Sequence, residues 1–429
     1  MIMEIRVGIK TDGTPILRKE GEFTVLENML IGDGFHWRKT IRAVLSGRIE
    51  LLERDERGKM KEKPSEEVVT DAEVIKEFKI IEEAEIVKKS EFIKESEVIE
   101  ESDREGSREV EPEDNVSLIN VLPVETYLEC VVASEMNPAA PVEFLKAHAV
   151  ISRSWVIGKI LNLHPCDTNG QINTDNCLIG WDDTGSHRRF HVCSDDHCQR
   201  YQGIQDVHPV SLQAIRDTAD EVLISERGNI VDARFSKCCG GVTELFSTCW
   251  QPVAPDCIKS IKDPWCDLSR LDPKSRRLLL SGVLKDYDLS TPGYGYRWET
   301  VIEKAEIERN LKEKFHRNIG KLLKVIPLHR GPSGRIDLIR LEGTKASIDL
   351  GKELWIRRLF SATHLYSSAF EMEDTGDKLK LSGAGWGHGV GLCQIGAANM
   401  AARGATYKEI LAFYYPGARL DKNPKLIGV

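Results

Sequence analysis

No stretch of about 18 consecutive apolar residues occurs in this 429-residue chain, so a membrane-spanning helix is not expected. The opening segment, MIMEIRVGIKTDG, also lacks a basic patch followed by an apolar run. Ile9 gives way at once to Lys10 and Asp12, and a secretory signal is not expected from it. GxSxG, HExxH, Walker A and EF-hand patterns are all missing, which removes the chemistries those loops build. An excess of positive charge is missing too. The net charge is -9, and the segment from Ala72 to Glu101 holds ten glutamates against five lysines, a net of -5. What remains is near balance and offers no basic face for a nucleic acid.

What is present is the composition of a globular chain, 41% hydrophobic, long enough for one large core or two to three smaller ones. Eleven cysteines are an odd number, and nine of them fall between Cys130 and Cys257. Disulfides, metal ligation and buried reduced thiols are all consistent with that clustering.

Turn signals such as Asp12-Gly13 break the first 50 residues into short strands, expected at Glu4 to Lys10, Gly21 to Glu27 and Ile49 to Glu53. From Glu66 to Glu101 a six-residue pattern repeats, clearest as AEIVKK, SEFIKE, SEVIEE. Six matches neither the helical period nor a heptad, so this segment reads as a flexible or partly helical insertion without catalytic duty. Beyond Val116 a strand leads into a helix with Pro123 at its start, and a second helix is expected from Val142 to Leu161. Residues 165–203 read as irregular. Later strands are expected at Ile230 to Ser236, Val325 to His329, Arg335 to Glu342, Ala346 to Leu350 and Lys378 to Leu381, with helical patterns near Arg276, Ile307 and Gly351. Strands and helices without a βαβ rhythm predict an α+β fold. The expected divisions are 1–61 (β part), 62–114 (acidic insertion), 115–262 (core with the two helices), 263–320 (a further insertion) and 321–429 (C-terminal β part).

Two features point to a site. The first is SGAGWGHGVGLCQIG, where Gly383, Gly385, Gly387, Gly389 and Gly391 alternate around Trp386, His388 and Gln394. Alternating glycines permit positive φ and close approach, while the other three supply a stacking face and hydrogen-bonding groups. The embedded GxGxxG string sits near the end of the chain rather than at the start of a βαβ unit, and Trp386 within it would obstruct a pyrophosphate. The second is a helical stripe, Leu128, Val131, Val132 and Glu135, whose core-facing row ends in a carboxylate. Desolvation there favours the neutral acid, which suits a general acid. A capping role or a pair with Arg153 is the alternative.

The segments NVLPVETYLECVVASEMNPAAPVEFLKAHAVISRSWV and GAGWGHGVGLCQIGAANMAARGATYKEILAFYYPGARL resemble the SpoIID/LytB family, the stage II sporulation protein D and amidase-enhancer relatives that act on peptidoglycan. The resemblance implies a SpoIID-like catalytic fold and aligns Glu135 with the family's proposed catalytic glutamate. It implies lytic transglycosylase chemistry, in which one carboxylate cleaves the MurNAc–GlcNAc bond and closes a 1,6-anhydro ring, with no cofactor required. His148 stands where the family usually has glutamine, one turn from Ser152. The expected partners are glycan strands and a wall amidase, and the expected location is extracytoplasmic because the substrate is. Two other readings stand beside it: a non-catalytic wall-binding amidase enhancer, and a zinc-dependent hydrolase.

The string from His187 to Gly203 concentrates imidazole and thiol, and resembles the family's HCQxYxG segment. The resemblance implies a structural zinc held by Cys193, Cys198 and one histidine, with His187 preferred and His191 competing for the position. A disulfide or free thiols are open alternatives, since Cys-x4-Cys is one residue short of the expected spacing. His197, Gln199 and Tyr201 become candidates for the substrate groove. So does Ser236, in the turn FSKCCGGVTE, which resembles a family Ser-x-x-Gly-Gly-x-Thr-Glu element. Trp250, Trp386 and Tyr201 are eligible sugar platforms, and Trp155 and Trp355 read as core.

Overall fold

The computed structural model describes residues 3–13, 15–31, 39–54, 60–62, 116–161, 170–181, 187, 189–195, 198–284, 292–362 and 365–422. The hexad repeat lies outside the described residues. Within them helix and strand are mixed, consistent with an α+β fold.

Glu4–Lys10 is the hub of a five-stranded sheet. It pairs antiparallel with Val116–Pro123 and parallel with Val192–Cys193, and Arg48–Arg54 with Met60–Glu62 extends the sheet beyond Val116–Pro123. The N-terminal β part and the core therefore share one sheet. Two helices follow directly. Val124–Glu135 (α1) starts where Pro123, at φ -59°, cannot continue the ladder, and ends where Met136 turns extended. Val142–Ile160 (α2) starts after Pro141 at φ -56°. From Phe144 to Lys159 only Lys146 escapes burial, so α2 is a central helix and not an amphipathic surface one. Its N-terminal half packs with Val132, Met136 and the helix Gln394–Ala402 in one core cluster. Its C-terminal half packs with Tyr127, Leu128 and the N-terminal sheet in another.

A third cluster joins two further sheets with the helices Lys304–Phe315 and Glu353–Leu359. One has the order Leu322–Arg330, Ile336–Gly343, Ser347–Gly351, Cys177–Trp181, Gly170–Thr174, and the other Arg297–Glu303, Lys378–Ala384, Phe370–Asp374. Part of the segment read as irregular is thus the hairpin 170–181, which joins the first of these sheets in parallel through Leu178 opposite Leu350. The strand expected over Ile230 to Ser236 shrinks to Phe235–Ser236, because its partner Leu392–Cys393 offers only two residues. Among the described residues no helix is long and apolar enough to cross a membrane.

Leu128 is fully buried where α1 meets the sheet. Leu128→Ala is expected to cost about 2–5 kcal/mol in urea denaturation, with the slope unchanged.

Candidate active site

Glu135 closes the last turn of α1. It is 6% exposed, and its Oε1 accepts the backbone N–H of Arg200 at 3.1 Å. Arg153 is committed elsewhere: its Nε and Nη2 grip Glu125 at 2.7 and 2.8 Å, and Nη1 donates to the carbonyls of Thr218 and Glu221. That guanidinium ties α2 to the first turn of α1, so the pairing with Arg153 weighed for Glu135 belongs to Glu125.

The segment 199–203 is strapped along α1. The Gln199 Oε1 accepts from Tyr127 OH at 3.1 Å, and its Nε2 donates to the Ser152 carbonyl at 3.4 Å. The Gln202 N–H donates to Ser134 Oγ, and the Tyr201 hydroxyl to Asn120 Oδ1. Gly203, at φ +78°, passes so close to Val44 that an added Cβ would lie 2.4 Å from its carbonyl oxygen. Expected as groove residues, Gln199 and Tyr201 are buried instead. The Tyr201 ring stacks on Tyr127 at 5.7 Å rather than offering a platform, because the strap turns its side chains toward α1. They hold the backbone N–H that reaches Glu135. His197 lies outside the described residues.

His148 and Ser152, one turn apart on α2, meet Gln394 from the start of the helix Gln394–Ala402. His148 Nδ1 is 3.3 Å from Ser152 Oγ, and its Nε2 is 3.2 Å from Gln394 Nε2. With the amide nitrogen donating, Nε2 of His148 accepts and Nδ1 carries the proton toward Ser152. Burial, with Lys237 adding to it, pushes the His148 pKa down to about 3. The imidazole is therefore a neutral link between two elements.

The glycine loop is built around a residue that sequence reasoning missed. Arg335 is fully buried, and donates from Nε and Nη2 to the Gly387 carbonyl and from Nη1 to the Cys239 carbonyl and Ser333 Oγ. Gly385, Gly387, Gly389 and Gly391 all have positive φ, and a Cβ on Gly385 or Gly389 would fall 2.5 Å from the guanidinium. Nothing local in the sequence marks Arg335, which lies some 50 residues before the loop. Trp386, 6% exposed, exchanges backbone hydrogen bonds with Cys238 and meets Tyr366 edge-on, so it is core rather than platform. Half-buried His388 accepts the Val390 N–H at Nδ1 and meets Trp250 edge-on at 5.0 Å. Burial, then Arg234, Arg335 and Arg357, holds its pKa well below the ordinary histidine value. Ser236, 6% exposed, has no hydrogen-bond partner for its Oγ among the described residues.

His187, Cys193 and Cys198 do converge. Their ligand atoms lie within 4.8 Å of one another, with the two sulfurs 3.8 Å apart and His187 Nε2 3.3 Å from Cys198 Sγ. The N–H groups of Cys193 and Asp195 point at Cys198 Sγ and Cys193 Sγ, each at 3.4 Å. Two sulfurs and one imidazole at these separations suit a tetrahedral zinc. A cavity of about 530 Å³ reaches the start of the glycine loop at Ser382, Gly383 and Ala384, and is otherwise lined in part by Arg297, Glu299, Arg330 and Glu371.

Residues 112–224 match the family described as "Stage II sporulation protein", and residues 244–391 match a domain of unknown function. The chain is 25% identical over 310 residues to Stage II sporulation protein D of Bacillus subtilis (strain 168), covering 72% of this chain and 77% of that protein. Against its namesake from Bacillus amyloliquefaciens it is 25% identical over 309 residues, 72% and 76% of the two. It is also 25% identical over 317 residues to the Amidase enhancer of Bacillus subtilis (strain 168), 68% of this chain but 40% of that protein.

A folded-state pKa below the unfolded value of about 6.5 means that the stability conferred by neutral His148 is complete above that pH. It is lost as pH falls toward the folded value of about 3. His148→Gln is expected to remove up to about 1.4 kcal/mol per pH unit from the acid-side slope of stability in that window, as urea midpoints measured against pH will show.

Proposed function

The chain carries a SpoIID-family domain at residues 112–224, and on that premise we propose that it is a peptidoglycan lytic transglycosylase, with Glu135 as its acid and base. The observation that carries this reading is a single carboxylate, almost wholly buried at the end of an apolar stripe, with one oxygen held by the Arg200 N–H. Hydrolysis of a glycoside generally calls on two carboxylates. Anhydro formation needs one.

Glu135 donates its proton to the glycosidic oxygen as the bond from that oxygen to C1 of MurNAc breaks. The resulting carboxylate takes the proton of the muramic 6-hydroxyl, whose oxygen closes on C1, and Glu135 ends as it began. Intramolecular attack, with effective molarities of about 10⁵–10⁸ M, replaces an activated water. The Arg200 N–H would orient the carboxyl group through both steps. His187, Cys193 and Cys198 would hold a structural zinc that fixes the base of the strap carrying Arg200. Substrate contacts would come from His388, Ser236 and His197, with His148, Ser152, Gln199, Tyr201, Trp386 and Gln394 positioning the walls. The substrate places the protein at the cell envelope.

The match to an amidase enhancer favours a second reading, a wall-binding protein that acts through a partner amidase. The two part on one experiment with purified glycan strands. Glu135→Gln is expected to lower release of anhydro-muropeptides by about 10²–10⁴-fold, with the thermal midpoint retained. Absence of anhydro products from the unsubstituted protein supports the enhancer reading, and full activity in Glu135→Gln removes the residue from its role.

A further inference from the structure

Beneath the glycine loop, three segments bring thiols and a carboxylate to one buried point. Cys239 follows the strand Phe235–Ser236, Asp263 and Cys266 share one turn, and Cys393 immediately precedes the helix Gln394–Ala402. All four are buried, and their ligand atoms lie within 4.8 Å of one another. Cys393 Sγ is 3.5 Å from Cys266 Sγ, and Cys239 Sγ is 3.2 Å from Asp263 Oδ2. No disulfide joins them.

The spacing identifies the kind of ligand. A tetrahedral ion with bonds of about 2.3 Å to sulfur holds its ligand sulfurs about 3.8 Å apart, close to the separation here. A 4Fe–4S cluster places each cysteine on a different iron and so spreads them more widely. The surroundings suit thiolates. Cys393 Sγ accepts from the N–H groups of Cys239 and Gly396 at 3.3 and 3.4 Å, and Cys239 Sγ from Gly241 N–H at 3.3 Å. Asp263 is already oriented: Oδ1 accepts from the N–H groups of Trp265 and Cys266, and Oδ2 from Tyr414 OH at 2.9 Å. Asp263 makes no ion pair among the described residues, so a buried carboxylate and three soft donors converge where a cation would compensate them.

We propose that Cys239, Asp263, Cys266 and Cys393 bind a single structural zinc ion, separate from the set formed by His187, Cys193 and Cys198. Binding releases the thiol protons to solvent and ties the 239–241 turn to the 263–266 turn and to the start of the helix that presents Gln394 to His148. Cys238, whose Sγ is 3.2 Å from Cys266 Sγ, stands beside the four as a contacting thiol.

The test is elemental analysis of the full chain purified without added metal, in a Cys193→Ser background that disables the other set. One equivalent of zinc is expected, falling to near zero when Cys393→Ser or Asp263→Ala is added. A Cys193→Ser protein without zinc, or zinc retained after both further substitutions, overturns the proposal. Should the added variants fail to fold, cobalt in the Cys193→Ser protein gives a second measurement. Intense thiolate-to-cobalt absorption with a tetrahedral ligand-field spectrum supports the site. Its absence, or a Cys238–Cys266 disulfide in unreduced peptide maps, overturns it.

Discussion

A guanidinium enclosed by a glycine loop is the interaction on which the C-terminal half depends. Arg335 is wholly buried, and an isolated charge in that position costs several kcal/mol in lost hydration. Four hydrogen bonds to carbonyls and to Ser333, at about 1.5–3 kcal/mol each for a charged donor, are enough to offset it. Ser333 in turn donates to Glu244, so the compensating negative charge arrives through one hydroxyl. Lysine has no planar fork and could not make this set of contacts. The loop's glycines follow from the same fact: a Cβ at Gly385 or Gly389 would occupy the guanidinium's place.

That loop communicates with α1 through α2. Gln394 leaves the loop and meets His148; His148 meets Ser152; the Ser152 carbonyl meets Gln199, whose neighbour Arg200 supplies the N–H at Glu135. Every link is buried, and a charged imidazole in the middle would be poorly hydrated, which is why its proton is held so weakly. His148, Ser152, Gln199 and Gln394, which suit substrate contacts by type, are here buried links between the glycine loop and the segment that meets Glu135. The geometry of the carboxylate therefore depends on packing across elements from distant parts of the chain.

Much of this was legible in the sequence where the signal is local. Pro123 and Pro141 mark the starts of α1 and α2, and the strand Glu4–Lys10 and the ends of the C-terminal strands fall within a few residues of expectation. The stripe ending at Glu135 and the convergence of His187, Cys193 and Cys198 were readable from short-range spacing. The hairpin 170–181 was not, because its polar and glycine-rich strands carry no alternation and are completed by a partner about 170 residues away. Nor was the burial of Tyr201 and Trp386, since an aromatic residue suits a ligand platform and a core equally well until its neighbours are known.

By itself, the sequence determined periodicity, helix starts, the need for positive φ in the glycine loop and which side chains carry chemistry. These are properties of a residue and its near neighbours along the chain. Only the tertiary structure decided that Arg153 belongs to Glu125, that Arg335 threads the loop and that Cys239, Asp263, Cys266 and Cys393 face one another. Apart from Asp263 and Cys266, which share one turn, those pairings join residues 24 to 154 positions apart, and which of them form is decided by how the sheets and α2 close their shared cores, burying each polar group where a partner can reach it.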